Sequence, residues 1–484
     1  MKIKRFIALT ASLSLIILTI LLNNSVSIKA SNPEGGIDQD MKNFLKADGK
    51  VLRNNMGKGD VVTLRGTNIG GWQVMEAWMC PTNAPDQKTT IAQFIERFGK
   101  EKAEELIRVY EDNWWQEEDF DNIKDLNFNV IRLPISFFNL LDEEGKLRED
   151  TLAVYDWFVE ESGKRDIYVI LDLHAAPGSQ NGRDHSGDIS GSLLFNDKTY
   201  GDLTISLWEQ LAEHYKGNPT IAGYGLLNEP EGNDEERAPW GPAQMPWFDQ
   251  CYKAIRAIDP EHLIIFNAIW EPTNMPHPEE YGWENVMYEY HYYGWDGIDD
   301  VSSQRAFIDA KVANDKRAGH NVPVLVGEFT LFNKLPSWEY ALDVFNEQGW
   351  SWTTWTYKTV EMGSWGIYNS SSSTTPDVNI YNDSEETIVN KWSKLGTSKS
   401  FTKNTWLYDI LKVKADPNSE TIEDLEKDLG EVGVIADWDN VVSSDQDENT
   451  DNGDINTGKI LLIGIAVMGL IVGLGLMLFK KTIK

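Results

Sequence analysis

The stretch GYGLLNEPEG, residues 223–232, reads as an apolar strand that stops on Asn228, Glu229 and Pro230. The small and apolar residues ahead of Asn228 suit a strand buried on both faces. A carboxyl group at the end of such a strand is costly unless it is paired or hydrogen-bonded. The stretch therefore poses a choice between a tethered structural carboxylate and a working acid, and the other strands decide it.

Seven further runs share its character: DVVTLRGTNIGG, FNVIRLPIS, IYVILDLHA, HLIIFNAIW, VMYEYHYYG, VPVLVGEFT and GWSWTTWTYK. Most are near-continuous in apolar residues rather than alternating, as strands covered on both sides should be. Between them, DTLAVYDWFVEESGKR, DLTISLWEQLAEHY, PWFDQCYKAIRAI and SWEYALDVFNEQ carry apolar residues at three- and four-residue spacing, the helical pattern. Eight strand–helix alternations predict an α/β fold, a (β/α)8 TIM barrel with loop insertions. The long connections from Gln73 to Glu118 and from Thr359 to Thr402 are expected to decorate one face of it.

In such a barrel every strand delivers its C-terminal end to one rim, where barrel enzymes hold their chemistry. The second strand ends in Arg132, the third in His174 and the fourth in Asn228 and Glu229. The sixth ends in His291 and Tyr293, the seventh in Glu328 and the eighth in Trp355. Singly, each has a bland reading as a buried ion pair, a satisfied histidine or a core tryptophan. Together, at corresponding strand ends, they point to a site. Two glutamates on one rim fit hydrolysis of a glycosidic bond, in which one carboxyl protonates the leaving oxygen and the other attacks the sugar. The two environments must then differ, so that one group is protonated and the other ionised. Tyr293 and Arg132 are expected to hold Glu328 charged as the nucleophile. The apolar strand before Glu229 is expected to favour its protonated form as the acid/base, with Asn228 placed for a sugar hydroxyl.

The motifs NVIRLP, LDLHAAPGSQNG, GYGLLNEP, YEYHYYG, VLVGEF and WTTWTYK, in this order between Arg65 and about Tyr408, resemble glycoside hydrolase family 5. RGTNIGGWQVMEAWMCP and APGSQNGRDHSG resemble its exo-β-1,3-glucanase branch. The resemblance implies retaining hydrolysis, with Glu229 as proton donor and Glu328 as nucleophile. It implies that Arg132 and Tyr293 serve Glu328, that His174 and His291 line the catalytic subsite, that Asn228 binds the 2-hydroxyl and that Trp355 is a sugar platform. Trp72, Trp270 and Trp295 are weaker platform candidates. WGIYNSSSSTTPDVNIYNDSEETIVNKW departs from the exo-glucanase pattern and leaves the substrate open among β-1,3-glucan, β-1,4-glucan and a glucosylated lipid. A catalytically silent carbohydrate-binding protein on the same fold would be expected to lack one glutamate, and both are present. A metal hydrolase using His174, His291 and Asp172 would need a completed ligand cluster, which the spacing does not supply. No cofactor or metal is expected.

The 484 residues carry 44 Lys+Arg against 76 Asp+Glu, a formal charge of −32, which argues against nucleic acid as a partner. The 19 tryptophans suit either a large core or sugar stacking. Cys80 and Cys251 have no metal-ligand spacing and read as small buried residues, with a disulfide between them left open. MKIKRFIALTASLSLIILTILL, followed by small residues up to Ala30, reads as a secretory signal peptide over residues 1–30. The catalytic domain is expected over 31–415 and an acidic stalk over 416–458, with SETIEDLEKDLGEV in it as a short amphipathic helix. Residues 459–484 contain the uncharged run ILLIGIAVMGLIVGLGLMLF and a basic tail, which reads as a C-terminal transmembrane anchor. Attachment to a cell wall is the alternative, with Thr457 and Gly458 as the remnant of a sorting signal. The expected place is the outer face of a bacterial membrane, the expected partner a β-glucan, and the expected state a monomeric domain.

Overall fold

The computed structural model describes residues 43–230, 244–268, 270–295 and 297–416. Eight parallel strands close a barrel in chain order: β1 (Arg65–Asn68), β2 (Val130–Ser136), β3 (Tyr168–Ala175), β4 (Ile221–Gly225), β5 (Leu263–Asn267), β6 (Val286–Tyr293), β7 (Val324–Thr330) and β8 (Ser351–Thr354). Each lies in one of the eight predicted runs, except that β4 begins two residues ahead of the quoted GYGLLNEPEG. Helices α1 (Gln87–Phe98), α2 (Lys100–Trp114) and α3 (Glu117–Asp125) fill the long connection after β1. Then follow α4 (Glu149–Lys164), α5 (Lys198–Tyr215), α6 (Gln244–Ile258), α7 (Val301–Ala318) and α8 (Leu335–Gln348). Their starts are marked by polar caps: Asp86, Asp197 and Asp300 each accept from a backbone N–H of the first turn. The helix expected between β5 and β6 is replaced by two 3-10 turns, Pro272–Asn274 and Pro278–Glu280. The two prolines lack the N–H that a continuing helix needs.

Alternation inside the strands sorts the barrel into layers. Leu64, Val130, Ile170, Ala222, Leu263, Ile265, Met287 and Leu325 form an apolar cluster with Leu45 and Leu52. Leu52 belongs to, and Leu45 immediately precedes, a small antiparallel sheet of Lys46–Asp48, Val51–Arg53 and Val61–Val62, which plugs the N-terminal end of the barrel. The predicted first strand is thus divided: Val61 and Val62 belong to the plug, and the barrel begins at Arg65.

At the other end, the insertion after β8 folds into a three-stranded sheet (Lys358–Val360, Tyr368–Ser370, Thr402–Lys403) and α9 (Glu385–Trp392), before α10 (Thr405–Ala415). Lys358 ties it down. Its buried Nζ donates to Leu395 O at 2.8 Å and Thr397 Oγ1 at 3.1 Å, and lies 5.0 Å over the Trp114 ring and 4.6 Å over Phe401. Burial pushes its ammonium down to about 8. Cys80 and Cys251 are buried free thiols. Among the described residues no helix is long and apolar enough to cross a membrane. The expected signal peptide, stalk helix and C-terminal anchor lie outside the described residues.

Candidate active site

Strand alternation places Met287, Glu289, His291 and Tyr293 of β6 on one face, rising from the apolar layer to the rim. Asp172 and His174 of β3 follow Ile170 in the same way. Strand β7 needs a correction to do this. Leu325 pairs with Glu289, yet Glu328 pairs with His291, because the register slips between Val326 and Glu328. Gly327 is the extra residue of this bulge, and without it Glu328 would point out of the barrel. A Cβ on Gly327 would stand 1.8 Å from Glu289 Oε1, so only glycine leaves room for that carboxylate.

Arg132 is fully buried at the centre. Its Nη1 donates to Glu328 Oε1 at 2.9 Å and Asn68 Oδ1 at 2.8 Å, and its Nη2 to Asn228 Oδ1 at 2.8 Å. Asp172 Oδ1 lies 3.0 Å from Nη2, and Glu289 Oε1 lies 2.7 Å from Nε as an ion pair without hydrogen-bond alignment. One guanidinium therefore orients both Glu328 and Asn228. The Tyr293 hydroxyl donates to the other oxygen of Glu328 at 2.8 Å.

Glu229 follows the end of β4 with φ of +40°, in the left-handed region that side chains rarely adopt. Asn181 Nδ2 donates to its carbonyl at 3.0 Å and holds that turn. Its Oε1 meets His291 Nδ1 at 2.7 Å, and Glu328 Oε2 lies 3.4 Å from the same nitrogen. One oxygen of each carboxylate and this nitrogen all lie within 4.8 Å of one another. On its far side His291 Nε2 faces Asn267 Nδ2 at 2.8 Å and Glu289 Oε1 at 3.3 Å. His174 is set apart from this cluster. Its Nδ1 bonds Asp172 Oδ2 at 2.7 Å, its Nε2 faces Asn228 Nδ2 at 3.3 Å, and its ring stacks on Trp355 with centroids 5.2 Å apart. Among the described residues, the grouping with metal-ligand spacing is Glu229, His291 and Glu328, not His174, His291 and Asp172.

The protonation pattern differs from the sequence-based expectation. Burial raises both carboxyls. At Glu229 the His291 hydrogen bond, with His185, His291 and Arg183 nearby, outweighs burial and holds the carboxyl well below its usual range. At Glu328 burial outweighs His291 and Arg132, and the group is raised. The surrounding carboxylates drive His291 up to about 10 against its own burial, whereas burial pushes His174 down to about 3. The proton expected on Glu229 is therefore held by His291. The expectation counted the apolar strand before Glu229 and not the imidazole facing it.

All eight predicted site residues meet at this rim, but the platform candidates divide. Trp72 is core: it packs on Trp115 and Phe158 and its Nε1 donates to Glu111 O. Trp270 touches Tyr293 edge-on at 6.3 Å, and Trp295 is 58% exposed and packs near Tyr293, Phe332 and Trp365. Sequence reasoning missed Trp365, Trp78, Glu76 and His185, all from loops without strand period. Trp365 lies 5.7 Å from Tyr293 and 5.0 Å from Trp78. Trp78 Nε1 donates to Glu76 Oε2 at 2.7 Å, and Glu76 Oε1 lies 3.8 Å from His174. Burial and the neighbouring carboxylates raise the Glu76 carboxyl far above its usual range. Glu76 and Trp78 sit inside the quoted motif RGTNIGGWQVMEAWMCP and His185 inside APGSQNGRDHSG, which was the signal available.

Residues 89–360, more than half of the chain, match the family described as cellulase (glycosyl hydrolase family 5). The chain is 27% identical over 416 residues to a β-xylosidase of Phanerodontia chrysosporium, covering 78% of this chain and 84% of that protein. It is 35% identical over 176 residues to a glucan 1,3-β-glucosidase of Pichia angusta, but there it spans 40% of the relative's length and 35% of its own. In fold it is similar to the crystal structure of an endogalactoceramidase, with a TM-score of 0.53 at 15% identity over 76% of this chain and 84% of that one. A closed eight-stranded barrel, two rim glutamates around one histidine and the match over more than half the chain agree: the chain belongs to glycoside hydrolase family 5.

Proposed function

We propose that the protein hydrolyses β-glucosidic bonds in glucans with retention of configuration, that β-1,3-glucan is its substrate, and that it acts from the chain end. The observation that carries the mechanism is the separation of the two glutamates, whose nearest oxygens lie within 4.8 Å. Retaining enzymes hold their carboxyls about 5–5.5 Å apart, whereas inverting enzymes need about 6.5–9.5 Å to admit a water. Glu328 is the nucleophile. Arg132 and Tyr293 fix its two oxygens, so one lone pair is aimed while the charge is balanced. Glu229 is the acid/base, and its proton comes from His291 Nδ1 over the 2.7 Å bond between them. As Glu328 forms its bond to the anomeric carbon and the glycosidic C–O bond breaks, the charge on Glu328 is spent, which loosens the hold on the His291 proton while Glu229 passes its own to the leaving oxygen. Asn228, already oriented by Arg132, takes the 2-hydroxyl; His174 and Trp355 form the floor of the subsite.

The β-1,3 preference is supported by the glucan 1,3-β-glucosidases among the relatives. A β-xyloside is the second reading, because the β-xylosidase is the relative matched over most of its length. We place the enzyme outside the cell, tethered by its C-terminal segment, from the apolar runs at the two ends of the sequence. Glu328→Ala should lower turnover by at least a thousandfold while leaving the fold intact. Glu229→Ala should spare activated aryl glycosides and cripple substrates with poor leaving groups. Early release of the inverted anomer in an NMR time course would rule out double displacement. A panel of aryl β-glucoside, aryl β-xyloside and β-1,3-, β-1,4- and β-1,6-glucans separates the substrate readings.

A further inference from the structure

Three successive carbonyls of the turn that presents the acid, those of Asn228, Glu229 and Pro230, each accept from a buried side-chain amide. Gln180 Nε2 donates to Asn228 O at 2.9 Å, Asn181 Nδ2 to Glu229 O at 3.0 Å, and Gln244 Nε2 to Pro230 O. Gln180 and Asn181 lie on the loop between β3 and α5, and Gln244 opens α6. The remaining hydrogens of the first two amides are also placed. Gln180 Nε2 gives its second to His174 O at 2.7 Å, and Asn181 Nδ2 gives its second to His185 Nε2 at 2.6 Å. Their oxygens accept from backbone N–H groups, Gln180 Oε1 from Ala176 at 3.3 Å and Asn181 Oδ1 from Arg183 at 3.0 Å. These donors fix which end of each amide faces the turn. The ties matter because Glu229 has φ of +40°, a conformation that a residue with a side chain keeps only where its surroundings hold it. Neutral amides hold it without setting a further charge beside the carboxyl.

We propose that Gln180 and Asn181 are positioning residues that hold the two ends of this turn for separate tasks: Gln180 sets Asn228 against the 2-hydroxyl, and Asn181 sets the Glu229 carboxyl against the leaving oxygen. The proposal rests on the reading of Asn228 as the 2-hydroxyl ligand and of Glu229 as the acid/base. Gln180 ties the carbonyls of His174 and Asn228 to one amide. It thereby fixes the ends of β3 and β4 relative to each other, and with them the subsite floor relative to the side chain that reads the sugar. Asn228 keeps two further anchors, its N–H on Leu173 O at 2.9 Å and its Oδ1 on Arg132 Nη2 at 2.8 Å. The Glu229 carbonyl lies one peptide beyond these, and Asn181 holds that peptide to the loop. Removing the Asn181 amide therefore lets the peptide after Glu229 turn while Asn228 stays in place. A catalytic group displaced by about 1 Å from its productive position loses much of its effect.

The test sets Gln180→Met and Asn181→Ala beside Asn228→Ala, Glu229→Ala and the parent. It measures kcat/KM on unactivated β-glucan, on an activated aryl β-glucoside and on the 2-deoxy counterpart of that glucoside. Asn181→Ala should lose about tenfold on the glucan and less than about twofold on the aryl glucoside, because only the glucan needs its leaving group protonated. Its preference for the aryl glucoside over the 2-deoxy compound should stay within about twofold of the parent's. In Gln180→Met that preference should fall about tenfold, since the 2-hydroxyl contact that strengthens in the transition state is misaligned. A merely structural role would lower all three substrates alike. Equal losses of Asn181→Ala on glucan and aryl glucoside, or an unmoved 2-hydroxyl preference in Gln180→Met, overturn the proposal. Should either variant fold poorly, Asn181→Ser and Gln180→Asn, whose shorter side chains withdraw the donor from the carbonyl, carry the same expectations and the same refutations. If Glu229→Ala shows no dependence on the leaving group, the acid/base reading has failed, and the 2-hydroxyl preference of Gln180→Met decides alone. If Asn228→Ala keeps the parent's 2-hydroxyl preference, the reading of Asn228 has failed, and the leaving-group dependence of Asn181→Ala decides alone.

Discussion

His291 couples the two glutamates, and its charge has a consequence for stability. Its folded pKa is raised to about 10 from an ordinary 6.5. A raised pKa means that the folded state binds the proton more tightly than the unfolded chain does. The stabilisation is therefore complete below about pH 6.5 and is lost as pH rises toward 10. Glu229 has the opposite sign: its lowered pKa stabilises above the ordinary carboxylate range and is lost in acid. Lys358, lowered to about 8, acts in the same alkaline window with the opposite sign, so the histidine is isolated by comparing the parent with a His291 variant. The melting temperature of the parent should fall between pH 6.5 and 10, and His291→Gln should flatten that fall while costing at least a hundredfold in kcat. A variant with the parent's alkaline slope would show that His291 is neutral at rest. The eight rim residues were legible one by one because a barrel strand has a fixed direction and a known end. The proton balance was not, because it depends on which side chains from β4, β6 and β7 converge, and sequence spacing carries no such distance. The missed Glu76 and His185 belong to loops, where no period marks an inward-facing residue.

At the level of elements, the same limit appears in β7. VLVGEF reads as a buried strand, but period-two alternation from Leu325 puts Glu328 on the wrong face. The bulge at Gly327 restores it, and the sequence shows this only as a glycine before a glutamate. Substituting Gly327→Ala should test the device. The added methyl would meet Glu289 Oε1 at 1.8 Å and push that carboxylate off Arg132. Loss of one partner from a buried ion cluster costs about 3–5 kcal/mol. A urea titration should report a loss of that order, and kcat should drop because Arg132 also holds Glu328 and Asn228. Full stability in Gly327→Ala would mean that β7 can take up the methyl by a small shift. Four helices were legible from three- and four-residue spacing. Helix α7 was not named because VSSQRAFIDAKVANDKRA buries few large apolar residues; its buried positions include Gln304, Lys311 and Asp315. The plug was hidden because its strands are two and three residues long, too short for alternation to register.

Over the whole barrel, chemistry and stability occupy opposite ends, and the two are separable by mutation. The N-terminal end is closed by Leu45 and Leu52, 1% and 2% exposed, against the lowest apolar layer of the strands. The C-terminal end holds the glutamates, and the β8 insertion brings Trp365 beside Tyr293 and Trp78. Leu52→Ala should therefore cost about 2–5 kcal/mol of stability, as removal of a buried leucine does, and leave kcat and KM at 25 °C unchanged in the folded fraction. Trp365→Ala removes a half-buried ring whose neighbours line the cleft. It should raise KM for glucan oligosaccharides severalfold, change KM for an aryl monoglucoside less, and shift the urea midpoint less than Leu52→Ala does. Thermal denaturation and Michaelis kinetics on both variants give the two readouts. If Leu52→Ala raised KM as strongly as Trp365→Ala, the plug would be coupled to the rim through the strands, and the division of the barrel into a stabilising end and a reacting end would not hold.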